Sequence, residues 1–255
     1  MAQDGEMSFW DHLDVLRGTL FRSMGAIVLV SVVFLAIPEQ LFKVVLWPTT
    51  PDFILYKWLG LKFSMTLINI EVSAQFFVHL KVSVIVGAII AFPYVIYEIW
   101  KFIAPALYDN EKKALRKAFG MSTFLFYLGV AVGYFIVLPV CLMFFMNYSV
   151  SDTVQNTISL SSYISLFTSM VFLIGLLFEF PTVVLVLSSM GILTRQQMRG
   201  YRKIAFVVIL VLAALITPSD PFSMFVLAIP LYGLYEFSIL MCKPDTSSEE
   251  DDSDQ

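Results

Sequence analysis

The sequence predicts an all-α integral membrane protein folded as a single bundle of six transmembrane helices. Hydrophobic residues make up 58% of its 255 residues and charged residues only 14%. A soluble domain carries about 25% charged residues. The mean hydropathy is +0.82, and the length suits one helical bundle without a separate soluble domain.

Six apolar runs define the predicted spans. They are Phe21–Ile37, Phe77–Trp100, Phe119–Phe145, Tyr163–Met190, Ile204–Ile216 and Phe222–Met241. The second, third and fourth are long enough to cross a hydrocarbon core of ~30 Å, and the first is shorter. The fifth would be only about 20 Å long as a helix. The last two form either a short hairpin or a re-entrant pair. The hairpin is favoured because thinning the bilayer costs only fractions of a kcal/mol per Å.

The distribution of lysine and arginine predicts the orientation. Twelve of these residues lie in the connections of one face, and three, Lys43, Lys57 and Lys62, lie in the long loop of the other face. Positively charged connections stay in the cytoplasm. We therefore expect a multi-pass protein of the cytoplasmic (inner) membrane with both termini in the cytoplasm.

The chain divides into three predicted parts. Residues 1–23 form a cytoplasmic amphipathic segment with no basic leader, so it is not read as a cleavable signal. Residues 24–241 form the transmembrane domain. Residues 242–255 form an acidic tail whose composition predicts disorder. Within 1–23, a helix from Ser8 to Ser23 has one apolar face, made of Phe9, Leu13, Leu16 and Leu20.

Smaller patterns lie within the loops and spans. Leu41–Leu46 predicts a short helix ended by prolines, and residues 62–67 are weakly strand-like. Gly129 and Gly133 form a G-x-x-x-G pattern that predicts close helix packing. Each of four spans contains a proline that should bend it and curve the bundle wall: Pro93, Pro139, Pro181 and Pro230.

Glu179 is the first candidate functional residue, because it lies in the middle of a long apolar run. A charged carboxylate facing lipid is costly, so such a residue must face other helices, a wet cavity or a partner. Glu98, near the inner end of the second span, is interpreted as a snorkelling or ion-paired residue. Asp14 and Arg17 either form a local ion pair on an interfacial helix or belong to a docking surface.

Several classes of function lack their signatures. There is no H-E-x-x-H, G-x-S-x-G or P-loop pattern, so we expect no catalytic residues and no enzyme. With only two histidines and no cysteine/histidine cluster, we expect neither a metal site nor a cofactor. Cys141 and Cys242 are expected to be unpaired. We expect membrane lipid and no nucleic acid as a partner. A proton-coupled small-solute transporter using Glu179 as a relay is the alternative.

Motifs along the chain resemble TatC, the multispanning subunit of the twin-arginine protein translocase. They are His12–Arg17, Phe92–Tyr108 with Glu111, Phe126–Pro139, Gly175–Pro181, Thr217–Asp220, Ala228–Pro230 and Leu234–Glu236. These blocks cover nearly all of residues 8–240 in the family's order. The Phe-Ile-Ala-Pro-Ala-Leu-Tyr sequence with its following glutamate is the most specific of them.

The resemblance implies a curved, glove-like bundle that binds folded precursors through their twin-arginine signal peptides. It implies TatA- and TatB-type single-span partners, self-association, and export driven by the proton-motive force. Phe102 and Glu111 match the family's signal-binding positions, with Glu98 as a further carboxylate on that face. Glu179 matches its buried glutamate. Whether a separate TatB-type partner exists stays open.

One position departs from the family pattern. The family usually has a glutamate directly before Leu-Arg, where this chain has Val15, with Asp14 one residue earlier. One residue turns a helix by about 100°. Asp14 therefore does not simply replace that glutamate, and Glu111 is the better candidate for contact with a signal arginine.

Overall fold

A computed structural model shows an α-helical bundle and describes residues 9–61, 63–103, 112–149, 151, 156–217 and 220–242, without the side chains of 9, 11 and 112–118. The helices are α1 (Phe9–Ala36), α2 (Pro38–Val45), α3 (Ile54–Leu59), α4 (Ala74–Ile103), α5 (Lys112–Val132), α6 (Leu138–Asn147), α7 (Leu160–Thr168), α8 (Ile174–Leu177), α9 (Phe180–Ser189), α10 (Arg195–Gly200), α11 (Arg202–Ile216) and α12 (Pro221–Met241). The predicted 242–255 tail, beyond Cys242, and residues 1–8 lie outside the described residues.

Shorter elements connect these helices. Trp47–Thr49 forms a 3-10 turn, and two π-helical turns, Gly133–Val137 and Ser169–Leu173, join α5 to α6 and α7 to α8. Strands β1 (Leu67–Ile68) and β2 (Ile158–Ser159) pair in parallel, with Leu67 opposite Ile158. We name the face carrying Phe102 and α10 the inner face, and the face carrying residues 38–73 the outer face.

Five helical stretches of the described residues are long and apolar enough to cross a membrane. They are His12–Ala36, Ala74–Ile103, Phe119–Asn147, Leu160–Ser189 and Pro221–Met241. The predicted all-α membrane bundle is therefore confirmed. The predicted fifth span corresponds to α11, which has 15 residues and is about 22 Å long. It packs against α12.

The amphipathic segment and the first span form one continuous helix. No break separates them, so α1 runs for 28 residues through the predicted boundary at residues 23 and 24. It packs along α4, where a Cβ added to Gly87 would overlap the Ser31 side chain. The glycine therefore lets the two helix backbones approach closely in the middle of the bundle.

Two of the four span prolines coincide with interruptions of regular α-helix. Pro139 has no amide hydrogen to donate to Phe135, which lies in the first π-helical turn. Pro181 likewise cannot bond the carbonyl of Leu177, and the chain passes from α8 to α9 through Phe178 and Glu179. Pro93 and Pro230 lie inside α4 and α12.

The outer loop packs onto the ends of the spans. The Tyr134 hydroxyl donates to the Val44 carbonyl and the Tyr163 hydroxyl to the Val45 carbonyl, each at 2.6 Å. Phe53 is fully buried within this loop. The predicted helix at 41–46 is confirmed as α2, which begins earlier, at Pro38. Of the strand-like stretch 62–67, Leu67 lies in β1, the prediction is wrong for residues 63–66, and residue 62 lies outside the described residues.

The G-x-x-x-G pattern packs as predicted. A Cβ on Gly129 would lie 2.6 Å from Cγ of Phe178, and a Cβ on Gly133 would overlap the carbonyl oxygen of Met170. Both glycines therefore let α5 and its π-helical turn approach the α7–α8 segment. Cys141 and Cys242 are both buried and free, as expected.

We predict that Gly133→Ala destabilises the bundle by about 1–3 kcal/mol, the usual cost of overpacking. The added methyl meets backbone, which cannot rotate away as a side chain can. The melting temperature of the purified protein in detergent measures this effect. The matched control is Gly233→Ala in α12, where nothing lies within 4 Å of the added carbon. An equal loss in both variants would contradict the packing argument.

Candidate functional site

The inner ends of α1 and α4 meet at an aromatic contact. The rings of His12 and Phe102 stack with centroids 4.4 Å apart and planes 27° from parallel. His12 lies in the first turns of α1, and Phe102 is the penultimate residue of α4. Phe102 precedes Glu111 by nine positions in the sequence, and residues 104–111 lie outside the described residues.

A charged pair fastens the same two helices nearer the membrane. Nε of Arg22 lies 2.7 Å from Oε2 of Glu98, and the Glu98 side chain is only 5% exposed, against 48% for Arg22. Arg22 also donates to the Thr19 hydroxyl at 3.3 Å. The ion-paired interpretation of Glu98 is confirmed. Its carboxylate is therefore already occupied by an internal guanidinium.

Asp14 lies on the other side of α1. It is exposed, and two residues turn a helix by about 200°, so it points away from the His12 side that contacts Phe102. Val15 lies about 60° from His12 by the same reckoning. A carboxylate at position 15 would therefore lie nearer Phe102 than Asp14 does. The structure brings Phe102 and Glu98 to α1 but does not bring Asp14 to them.

Glu179 forms a second site deeper in the bundle. Ten residues separate it from Ser189 at the inner end of α9, which corresponds to roughly 15 Å of helix. Its Oε2 accepts a hydrogen bond of 2.6 Å from the Ser122 hydroxyl of α5. Its Oε1 is buried and accepts no hydrogen bond of good geometry among the described residues, although the Thr182 hydroxyl is near.

The helix break places this carboxylate. Glu179 immediately precedes α9, whose second residue is Pro181. Its backbone carbonyl still accepts the first amides of α9, from Thr182 and Val183. With Oε2 bonded to Ser122 and Oε1 buried without a well-aligned donor, Glu179 keeps one hydrogen-bond acceptor unused. Such a group suits contact with a polar atom of another helix inside the membrane.

Sequence reasoning missed three participants in these sites. Ser122 is a hydroxyl within an apolar span, and Arg22 counted only toward the charge balance. His12 appeared only as the first residue of the His12–Arg17 motif. Their partners lie 57, 76 and 90 positions away. The one local feature of the sequence that could have indicated Ser122 is the presence of hydroxyl side chains in the inner half of the third predicted span.

Comparisons with known proteins identify the family of this chain. The family model for Sec-independent protein translocase protein (TatC) matches residues 11–230. The chain belongs to the TatC family. A curated member from Blattabacterium sp. subsp. Periplaneta americana is 36% identical over 253 residues, which cover 93% of this chain and 95% of the relative. The relative from Desulforapulum autotrophicum is 34% identical and covers 100% of this chain and 92% of its own length.

A solved structure of the family has the same fold. The crystal structure of the twin-arginine translocase receptor TatC in DDM superposes with a TM-score of 0.77 at 34% identity, covering 91% of this chain and 99% of the other. Family and fold together make this chain a multi-pass membrane subunit of the Tat protein translocase. It is a component for protein transport rather than a member of an enzyme family.

We predict that Arg22→Gln lowers the melting temperature more than Glu98→Gln does. The first change leaves a buried carboxylate without its partner, whereas the second leaves a half-exposed guanidinium that water can solvate. The double variant should recover part of the loss. Arg17→Gln is the control, since Arg17 contacts the ring of Phe21 on the exposed side of α1. Equal effects of the two single changes would contradict the asymmetry.

Proposed function

We propose that this chain is the signal-peptide receptor of a twin-arginine translocase. The observation that carries the proposal is the stacking of Phe102 on His12 at the inner face, nine positions before Glu111 in the sequence. Phe102 offers an apolar surface and Glu111 a carboxylate. A signal peptide with two arginines followed by an apolar stretch needs both kinds of group.

The chemistry of the two arginines favours carboxylates on this face. A guanidinium stays charged and presents a planar fork of donors that matches a carboxylate. Glu98 is already paired with Arg22, and Asp14 points away from Phe102. Among the acids proposed from the sequence, Glu111 is therefore the principal partner of the arginines. Glu98 supports the surface from behind, and Asp14 has at most a peripheral part.

The proposed orientation puts this surface in the cytoplasm, where precursors are made. The inner face carries most of the connecting lysines and arginines, which supports cytoplasmic termini in the inner membrane. Two cytoplasmic termini need an even number of spans, and we propose six, with α11 and α12 as a short hairpin. In this arrangement residues 1–23 are the cytoplasmic segment, 24–241 the membrane domain and 242–255 a cytoplasmic tail.

Glu179 is proposed as the contact for a second polypeptide inside the membrane. Single-span partners of the TatA and TatB type, and further copies of this chain, would assemble there after a precursor binds. Because Oε1 is buried, the Glu179 side chain would have to turn outward before a polar atom of a partner helix could bond it. The proton-motive force would drive the transport of the folded precursor.

We expect Glu111→Gln to weaken precursor binding about tenfold. A neutral amide loses the charge-assisted hydrogen bonds to a guanidinium, which contribute about 1.5 kcal/mol or more. Site-specific crosslinking to precursors carrying Arg-Arg or Lys-Lys in the signal measures this, and the preference for Arg-Arg should shrink in the variant. Glu39→Gln, an exposed carboxylate of α2 on the outer face, is the control. Undiminished crosslinking would remove Glu111 from the site.

For Glu179, the isosteric change separates hydrogen bonding from charge. Glu179→Ala should abolish co-purification of a single-span partner, whereas Glu179→Gln should keep most of it, because an amide still bonds a polar group. Ser83→Ala, which removes a buried hydroxyl from α4, is the control and should have no effect. Full partner recovery with Glu179→Ala would show that the contact lies elsewhere.

A further inference from the structure

An apolar groove opens on the inner half of the bundle between α9, α11 and α12. Its volume is about 250 Å³. Its floor includes Met198 and Tyr235, each 5% exposed, and its walls include Tyr201 and Ile204, which are 56% and 59% exposed. The Tyr235 hydroxyl is turned below the floor, where it donates to the Met198 carbonyl at 2.6 Å. The groove therefore presents almost no polar atom.

The environment of the groove restricts what fills it. Apolar voids much larger than a water molecule are rare in packed proteins, and this groove, on apolar helices of a membrane bundle, has exposed walls. A helix with its side chains is about 10 Å wide, so it could insert only a few side chains. Part of a single acyl chain fits along such a groove, and the rest of the chain would lie on the exposed helix surface.

Two basic residues are sequence neighbours of residues that line its inner end. Arg199 follows the floor residue Met198, and Arg202 follows the wall residue Tyr201. Arg202 is held by Glu236 at 2.7 Å with 47% of its side chain exposed, so guanidinium donors remain available. No described group pairs with Arg199. Together these residues give the rim a net positive charge, where a headgroup would lie.

We propose that this groove is a binding site for one anionic glycerophospholipid of the inner leaflet. An acyl chain lies over Met198 and Tyr235, and the phosphate lies at Arg199 and Arg202. Basic pockets between membrane helices on the cytoplasmic side bind anionic headgroups in this way. Leu177 and Phe180 also line the groove, on either side of Glu179 in sequence. The bound lipid therefore packs against the helix break that holds the intramembrane carboxylate.

Native mass spectrometry of the full chain, titrated with phosphatidylglycerol or with phosphatidylcholine of the same acyl chains, tests the site. Wild type should retain one phosphatidylglycerol in preference to phosphatidylcholine. Arg199→Gln and Arg202→Gln should each weaken phosphatidylglycerol binding about fivefold, the weight of one basic side chain near an anionic headgroup. They should leave phosphatidylcholine binding unchanged. Ala205→Phe fills the groove and should weaken both lipids.

Lys203→Gln is the matched control. It removes the same charge one residue from Arg202, but Lys203 lies about 200° around α11 from the lining residue Ala205. Its effect should stay below about twofold. If Lys203→Gln weakens phosphatidylglycerol as much as Arg199→Gln, the preference is a general surface charge effect and the proposal is wrong. Equal binding of the two lipids by wild type overturns it as well.

A second filling variant, Val208→Phe, replaces Ala205→Phe if the latter lowers the melting temperature. Unchanged lipid binding in a folded filling variant would contradict occupancy of the groove. The proposal would also be wrong if that variant kept its lipid but lost a co-expressed single-span partner. The groove would then hold a protein helix.

Discussion

Hydrocarbon cannot solvate a carboxylate, so a membrane protein that keeps one must satisfy it with its own groups or with those of a partner. Glu179 shows how this chain does so. A proline two residues later interrupts the helix, the interruption places the side chain opposite α5, and Ser122 donates to one oxygen. The other oxygen, Oε1, has no well-aligned hydrogen-bond donor among the described residues. The fold thus tolerates the acid in isolation and keeps one of its oxygens as an unused hydrogen-bond acceptor.

The seam between α1 and α4 solves a related problem at the membrane surface. The type of contact differs along the seam. Ser31 and Gly87 pack closely in the middle of the bundle, Arg22 pairs with Glu98 nearer the inner face, and His12 stacks on Phe102 at the inner ends of the two helices. Close packing of small residues suits the hydrocarbon core of a membrane, and charged or aromatic contacts suit the membrane–water interface. One continuous helix, α1, therefore joins the first span to the amphipathic segment and reaches the inner end of α4.

Much of this architecture could be predicted from local sequence. Apolar runs gave the long spans, and the small residues Gly129 and Gly133 predicted their close approach. Glu179 was conspicuous because its neighbours are apolar. The partners of the polar groups were beyond such reasoning. Nothing local in the sequence links Arg22 to Glu98 or Ser122 to Glu179, since these contacts arise only when distant helices pack. The burial of Phe53 in the outer loop has the same origin.

The two tyrosine hydroxyls on the outer face have a mechanical consequence. Tyr134 and Tyr163 belong to different helical segments, yet they bind adjacent carbonyls, those of Val44 and Val45. Separating the outer ends of the two segments would break at least one of these hydrogen bonds, and the residue that supplies the second carbonyl, Val45, is only 1% exposed. The outer loop thus cross-links two segments that are distant in sequence.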